Sequence, residues 1–184
     1  DARRPHVPTN ASIREAIKLA NRHPRVRLLD PGIGVGGHCI PVDPWFIVEA
    51  APDQTSIIPA ARRLNDSMPR YIAGRMRQAL AEFADPVIGF CGIAYKPDIN
   101  DQRESPARAI IEIFRREGWR YEVFDPICGI SADYGSLRQF AEGKDVLVIL
   151  VPHSRFRDEL ERDYQLIVGS LAGKMILQPS DFGL

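Results

Sequence analysis

Apolar residues recur along this 184-residue chain with two different periods. Ile13, Ala16, Ile17 and Ala20 fall at i, i+3, i+4 and i+7, the single stripe of a helix over residues 10–21. Ser12 and Glu15 have the spacing of a reciprocal N-terminal cap, and Pro24 stops the helix. Val26 to Leu29 is short, apolar and strand-like. Pro44 suits the first turn of a short helix that runs to Ala50. From Thr55 to Phe83, a long helical face takes in Ile58, Ala61, Leu64, Met68, Ile72, Met76, Leu80 and Phe83. Pro69 lies inside it and predicts a kink or break.

The pattern changes after Asp85-Pro86. Val87 to Ile93 reads as a buried strand. Ser105-Pro106 opens a helix whose apolar face is Ala109, Ile110, Ile113 and Phe114, and Gly118 ends it. Tyr121 to Phe124 is a strand, Ser136 to Glu142 a short helix, and Val146 to Val151 a second buried strand. A short helix over Phe156 to Leu160 and a strand over Lys174 to Leu177 complete the series. Strands alternating with helices imply parallel pairing in a doubly wound sheet. The fold class is therefore α/β: a helical segment over residues 1–84, then a Rossmann-like parallel-sheet domain over residues 85–184. Internal repeats and low-complexity tracts are absent from the sequence.

Composition narrows the picture. Hydrophobic residues make up 45% and charged residues 26%, as in a soluble globular protein able to bury a core. The formal net charge of +0 argues against a broad nucleic-acid footprint. There is no apolar run of about 18 residues, so no membrane span is expected. The first eight residues lack the apolar stretch of a secretory signal and read as a tag-like lead-in. Cys39, Cys91 and Cys128 are odd in number and widely spaced, which makes no disulfide framework. A reducing, cytoplasmic setting is the simpler expectation.

Gly32, Gly34, Gly36 and Gly37 crowd one loop before Cys39. Gly32, Gly34 and Gly37 satisfy G-x-G-x-x-G, but Pro41 and Pro44 follow where a dinucleotide-binding helix should open directly. Cys39 carries more meaning. It follows Gly36-Gly37-His38, where glycine backbone can approach a ligand closely. A free thiol with a pKa of about 8.5 needs activation to act as a nucleophile, and His38 and Asp43 stand nearby in sequence. An isolated cysteine is more often a small buried hydrophobe; its flanking sequence decides otherwise here.

Gly34-Val-Gly-Gly-His-Cys-Ile-Pro-Val-Asp-Pro-Trp-Phe46 resembles the catalytic loop of the UDP-glucose/GDP-mannose dehydrogenase family. Leu19-Ala-Asn-Arg-His-Pro-Arg-Val26, Asn65-Asp-Ser-Met-Pro69 and Gly92-Ile-Ala-Tyr-Lys-Pro-Asp-Ile-Asn-Asp-Gln-Arg-Glu-Ser-Pro-Ala107 resemble three further stretches, in the family's order. Together the matches cover residues 12–155. His38 and the Val42–Phe46 run are similar to the UDP-N-acetylhexosamine branch, and the Leu-Ala-Asn-Arg-His-Pro-Arg stretch to its N-acetylmannosamine enzymes. Other branches usually have serine before the cysteine and lysine before the aspartate.

The resemblance implies oxidation of a sugar C6 alcohol to a carboxylate with two NAD+, through a cysteine thiohemiacetal and thioester. Cys39 matches the nucleophile. Asp43 matches an aspartate that orients water or supports proton transfer, and its position before Pro44 equally suits a helix cap. Gly36 matches a glycine whose backbone meets the sugar. Tyr95 and Lys96 match a pair that contacts the UDP-sugar, at a strand's carboxyl end. Arg103 matches an arginine that reaches NAD; an ion pair with Asp98, Asp101 or Glu104 is compatible with that role. His23 and Arg25 match positions that reach substrate in a neighbouring subunit, and a plain helix-end role is equally open for each. The resemblance also implies a UDP-sugar substrate and a homodimer built on the long helix. That helix's stripe could equally pack on the α/β domain. The family's NAD-binding first domain and the central-helix lysine and asparagine precede the matched stretch, so the chain alone is expected not to turn over. The family's last strand usually runs into Asp-Thr-Arg; here Leu177-Gln-Pro-Ser180 stands instead, and the arginine is missing. A UDP-glucose or other UDP-hexose dehydrogenase, a non-catalytic nucleotide-sugar-binding module, and a flavodoxin-like interaction domain are the alternatives that the residues leave open.

Overall fold

Hydrophobic periodicity translates into helices almost everywhere it was expected. The computed structural model describes residues 13–29, 31–173 and 175–182. Ser12 of the expected cap, the N-terminal lead-in and Lys174 lie outside them. The chain divides into two units, residues 1–32 and 33–184.

In the first unit, α1 spans Ile13–Ala20 and buries none of its residues. The strand expected over Val26 to Leu29 does not form; the segment has no ladder partner among the described residues. Asn21 takes the place of a neighbouring strand. Its amide donates to the Leu28 carbonyl at 2.9 Å, and its side-chain oxygen accepts from the Leu28 N–H at 2.6 Å.

In the second unit, α2 spans Asp43–Ala50 and α3 spans Ile57–Ala79. The break expected at Pro69 is absent: α3 runs through it as one helix of 23 residues. Proline removes the N–H that would pair with the Asn65 carbonyl, and burial of Ile72, Ala73, Met76 and Leu80 beyond it holds the helix in the core. Four parallel strands follow, β1 Val87–Cys91, β2 Arg120–Phe124, β3 Val146–Ile149 and β4 Met175–Leu177, in the order β2-β1-β3-β4. Between them lie α4 Pro106–Arg116, α5 Leu137–Ala141 and α6 Ser154–Ser170. The last is much longer than the expected Phe156 to Leu160, and bends at Asp163. A polar run from Glu161 to Gln165 hid its continuation to the buried Ile167.

Alternation along the strands sorts the core into two faces. Ile88, Phe90, Val146 and Val148 face α3 and α4, meeting Ile72, Met76, Ile110 and Phe114. Cys91, Leu147 and Ile149 face the other way, toward Leu137, Phe140, Phe156 and Leu160 of α5 and α6. Aromatic rings fill both layers: Phe90 lies 5.5 Å edge-on to Phe114, and Phe124 stacks 5.0 Å from Phe140. The later half of the α3 stripe, Ile72 to Leu80, is therefore consumed by the α/β core. No described helix is long and apolar enough to cross a membrane.

Strands β1 and β3 end two residues earlier than expected. After β1 the chain turns at Gly92, with φ of 83°. After β3 the amides of Leu150 and Val151 both converge on the Cys91 carbonyl, at 2.9 and 3.3 Å. A Cβ on Gly92 would lie 2.5 Å from the Val151 carbonyl oxygen. Gly92→Ala therefore combines left-handed strain with a backbone clash. Denaturant unfolding is expected to show a loss above about 2 kcal/mol. A loss well under that figure would mean the strand end relaxes freely.

Candidate functional site

The cysteine loop is held from two directions. The Asn65 side chain on α3 pairs with both backbone groups of Val35, accepting from its N–H at 2.7 Å and donating to its carbonyl at 3.1 Å. Two residues on, the Gly37 N–H donates to the Arg103 carbonyl at 3.0 Å. Gly36 and Gly37 are buried against the turn that precedes α4. A Cβ on Gly36 would overlap the Glu104 carbonyl, and one on Gly37, at φ of 100°, would sit 3.0 Å from the Tyr95 ring. Glycine is needed there because another segment occupies the space.

Cys39 is exposed on the outer turn of this loop. Its carbonyl accepts from Val42 N–H at 3.0 Å and Asp43 N–H at 2.8 Å, so Asp43 stands one turn beyond it as the first residue of α2. The cap role open to Asp43 is not taken: α2 has Val42 at its N-cap with no side-chain cap. The Asp43 carboxylate has no hydrogen-bond or ion-pair partner among the described residues.

The facing segment carries the other expected residues. Tyr95 is half-buried and Lys96 exposed, its ammonium 5.6 Å from the Tyr95 ring centroid. The Tyr95 N–H donates to the Asp101 carbonyl at 2.9 Å. Asp101 grips Arg103 through Nε at 3.0 Å and Nη2 at 2.6 Å, and Nη2 lies 3.3 Å from Nδ1 of His38. The Arg103 guanidinium and amide hold the Asp101 carboxyl at a pKa of about 2. The ion pair foreseen for Arg103 is thus made with Asp101. The Arg103 side chain still exposes 64% of its surface, so the pair with Asp101 leaves it open to a further anionic or hydroxyl partner.

Gly36, Cys39, Tyr95 and Arg103 are therefore brought to one place, with Lys96 and Asp43 alongside. His23 and Arg25 belong to the first unit, where both are exposed and the Arg25 N–H lies 3.3 Å from Nδ1 of His23. The glycine run does not open a helix. Helix α2 starts only at Asp43, beyond Pro41, and the space beside the glycines is filled by Tyr95, Glu104 and Pro106. This excludes a dinucleotide cradle at the loop.

A cavity of about 630 Å³ is lined by Ile93, Glu104, Ser105, Arg108 and Val123, on the β2 side of α4. Neither Cys39 nor Lys96 lines it. Reactive groups, not volume, locate the site at the exposed rim where the two segments meet.

Asp125 was not singled out from the sequence, and Asn65 lay in a quoted motif with no role assigned to it. Asp125, at the end of β2, is fully buried. Its carboxylate accepts from the backbone N–H groups of Ile93 at 2.7 Å, Ala94 at 3.3 Å, Ile127 at 3.1 Å and Cys128 at 2.9 Å, and meets Nε2 of His153 at 3.1 Å. Burial pushes its pKa up, but the His153 bond and the backbone amides outweigh burial and hold it at about 2.

Sequence models of the UDP-glucose/GDP-mannose dehydrogenase family match the chain twice, the central domain over residues 7–67 and the UDP binding domain over residues 89–178. A UDP-N-acetyl-D-mannosamine dehydrogenase of Methanococcus aeolicus is 38% identical over 166 residues, which is 89% of this chain and 38% of that protein. An NDP-N-acetyl-D-galactosaminuronic acid dehydrogenase of Ralstonia nicotianae is 44% identical over 150 residues, 78% of this chain and 36% of that protein. Among solved structures, a UDP-D-ManNAc dehydrogenase of Pyrococcus horikoshii superposes with a TM-score of 0.80 at 36% identity, covering 92% of this chain and 40% of that one. The chain thus spans well under half the length of these relatives.

Asn65→Ala removes both tethers on Val35. It is expected to cost about 1–3 kcal/mol and to speed hydrogen exchange at the Val35 amide more than at the β1 amides. Equal acceleration at both would mean that the pin is not local. Asp125 also makes stability depend on acid. Its folded pKa of about 2 lies below the ordinary 3.8, so its contribution is full above about 4 and is lost as pH falls toward about 2. Unfolding free energy is expected to fall across that window, and less steeply in Asp125→Asn; equal slopes would discount this carboxylate.

Proposed function

The chain belongs to the UDP-glucose/GDP-mannose dehydrogenase family, and from that premise we propose that it is the C-terminal part of an NAD-dependent UDP-N-acetyl-D-mannosamine 6-dehydrogenase. The observation that carries the reading is the convergence of Cys39 with Tyr95 and Arg103 across two segments far apart in sequence, clasped by the Gly37–Arg103 backbone bond. Resemblance to relatives that act on N-acetylated hexosamines supports the substrate class.

In this mechanism the Cys39 thiolate adds to the C6 aldehyde left by the first oxidation, and the C6 oxygen takes a proton. Loss of the second C6 hydride, together with the proton of the thiohemiacetal hydroxyl, leaves a thioester on Sγ. Water oriented by the Asp43 carboxylate attacks that carbonyl, the C–S bond breaks, and the thiolate is restored. The sugar alcohol and one water leave as a carboxylate, with two hydrides transferred and three protons released. Bound NAD+ supplies the hydride acceptor, and Arg103 is the residue of this chain that would contact it. Gly36 offers backbone to the sugar, and Lys96 offers a compact cation to a phosphate or hydroxyl. His23 and Arg25 are assigned to the substrate of a neighbouring subunit. The relatives are more than twice as long as this chain, so turnover needs the parts outside it.

The proposed homodimer would use the long helix, and its exposed surface lies on the first half of α3 and on α2. Ile57, Leu64, Trp45, Phe46 and Ile47 remain exposed there, whereas Ile72, Met76 and Leu80 of the α3 stripe are buried. A cytoplasmic enzyme fits the three free thiols. The 44% identity to the N-acetyl-D-galactosaminuronic acid dehydrogenase favours a second reading, with the galacto epimer as substrate.

Calorimetric titration with UDP, UDP-N-acetylmannosamine, UDP-N-acetylgalactosamine and UDP-glucose tests the assignment. The manno sugar is expected to bind tightest, and Lys96→Ala to weaken it by about tenfold, the effect of one charge-assisted contact. Tightest binding of the galacto sugar would favour the second reading; tightest binding of UDP-glucose would sink both. Light scattering across concentrations is expected to give twice the chain mass, and a monomer throughout would remove the dimer.

A further inference from the structure

Tyr95 and Lys96 stand on a segment between β1 and α4 that has no helix or strand of its own. Something outside that segment must fix it, because irregular backbone is free to move unless its polar groups are tied. The start of the segment is tied to Asp125 through the Ile93 and Ala94 amides. Midway along, two residues beyond Lys96, it turns at Asp98, whose φ of 61° is a left-handed conformation that costs free energy for a residue other than glycine.

Asp98 holds that conformation through two sets of bonds. Its carboxylate accepts from the Ser154 N–H at 2.7 Å and the Ser154 hydroxyl at 2.5 Å, at the start of α6. Its own N–H donates to Nδ1 of His153 at 2.8 Å. His153 is fully buried, and its ring meets Phe156 edge-on at 5.3 Å. Its other nitrogen, Nε2, lies 3.1 Å from the Asp125 carboxylate.

These partners dictate where the proton sits. A backbone N–H can only donate, so Nδ1 is bare; a carboxylate can only accept, so Nε2 carries the hydrogen. We infer that His153 is a positioning residue for the segment carrying Tyr95 and Lys96, a neutral imidazole that ties Asp98, just past that pair, to Asp125, which holds Ile93 and Ala94 just before it. His153 touches neither the rim nor Cys39; it acts through the backbone it holds. Its consequence for ligand binding rests on the proposed contact of Tyr95 and Lys96 with the UDP-sugar.

Two substitutions separate the two bonds. In His153→Asn the side-chain oxygen can replace Nδ1 and accept from Asp98, while the bond to Asp125 is lost. In His153→Gln the side-chain amide can replace Nε2–H and donate to Asp125, while Asp98 loses its acceptor. Both remove the ring from the core, so both lower the melting temperature, and that loss alone says nothing about positioning.

The experiment uses the whole 184-residue chain. Nitrogen-15 NMR of His153 at neutral pH is expected to show a bare Nδ1 and a protonated Nε2. Hydrogen exchange at the Tyr95 amide, which donates to the Asp101 carbonyl, is expected to rise by about tenfold in His153→Gln relative to His153→Asn, the effect of one lost buried hydrogen bond. The β1 amides are expected to differ little between the two. UDP affinity is expected to fall by a similar factor in His153→Gln alone. A proton on Nδ1, or equal Tyr95 exchange in the two variants, overturns the inference. If Lys96→Ala leaves UDP affinity unchanged, the substrate role of the segment fails instead, and the Tyr95 exchange comparison still decides the role of His153.

Discussion

A buried carboxylate at the end of β2 is the constraint on which the carboxyl end of the sheet depends. Parallel strands deliver their loops to one edge, and nothing in the ladder itself fixes where those loops go. Asp125 supplies that missing order. It collects backbone amides from the segment after β1 and from the turn after β2, and it meets the histidine that follows β3. A charge this deeply buried is tolerable only because its oxygens are fully engaged. Take away the convergence of strand ends and the carboxylate is unsupported; take away the carboxylate and the strand ends have no common anchor.

The cysteine loop is held by a different device and depends on the first. Its glycines press on the turn before α4, and that turn is in place because Ser105 bonds to the Ala94 carbonyl at 3.1 Å while Ala94 itself is held by Asp125. Rigidity therefore passes from the sheet to the turn and from the turn to the loop. The exposed thiol of Cys39 rests at the end of this chain of contacts. For the nucleophilic role proposed for Cys39, a backbone fixed before substrate arrives is an advantage.

Periodicity made the helices and the central strands legible, because burial of one face is written directly into the spacing of apolar residues. It misled where a polar group replaced a structural partner. Val26 to Leu29 looked like a strand, but Asn21 satisfies Leu28 with a side chain and no ladder forms. Pro69 looked like a break, but α3 tolerates one missing amide when Ile72 to Leu80 are locked in the core. Cys39, Tyr95 and Arg103 were found by resemblance, and their approach to one another follows from the fold. Asn65 lay in a recognised motif without a visible role, since its bonds to Val35 span thirty residues. Asp125 and His153 carried no local signal: one reads as a strand-ending Asp-Pro turn, the other as a histidine past a hydrophobic run. Their meaning lies in a meeting point that only the three-dimensional path creates.

Helix α3 has one more consequence. It is roughly 34 Å long at the ordinary helical rise. One half is embedded in the sheet layer, and Asn65 near its middle grips the backbone four residues before Cys39. A helix so held behaves as a stiff lever with the sheet as its fulcrum. Asn65 is thus the direct link between the first half of α3 and the backbone of the cysteine loop. Thermodynamic linkage makes the two effects equal: whatever a surface contact on α3 does to occupancy at Cys39, occupancy at Cys39 must do to that contact.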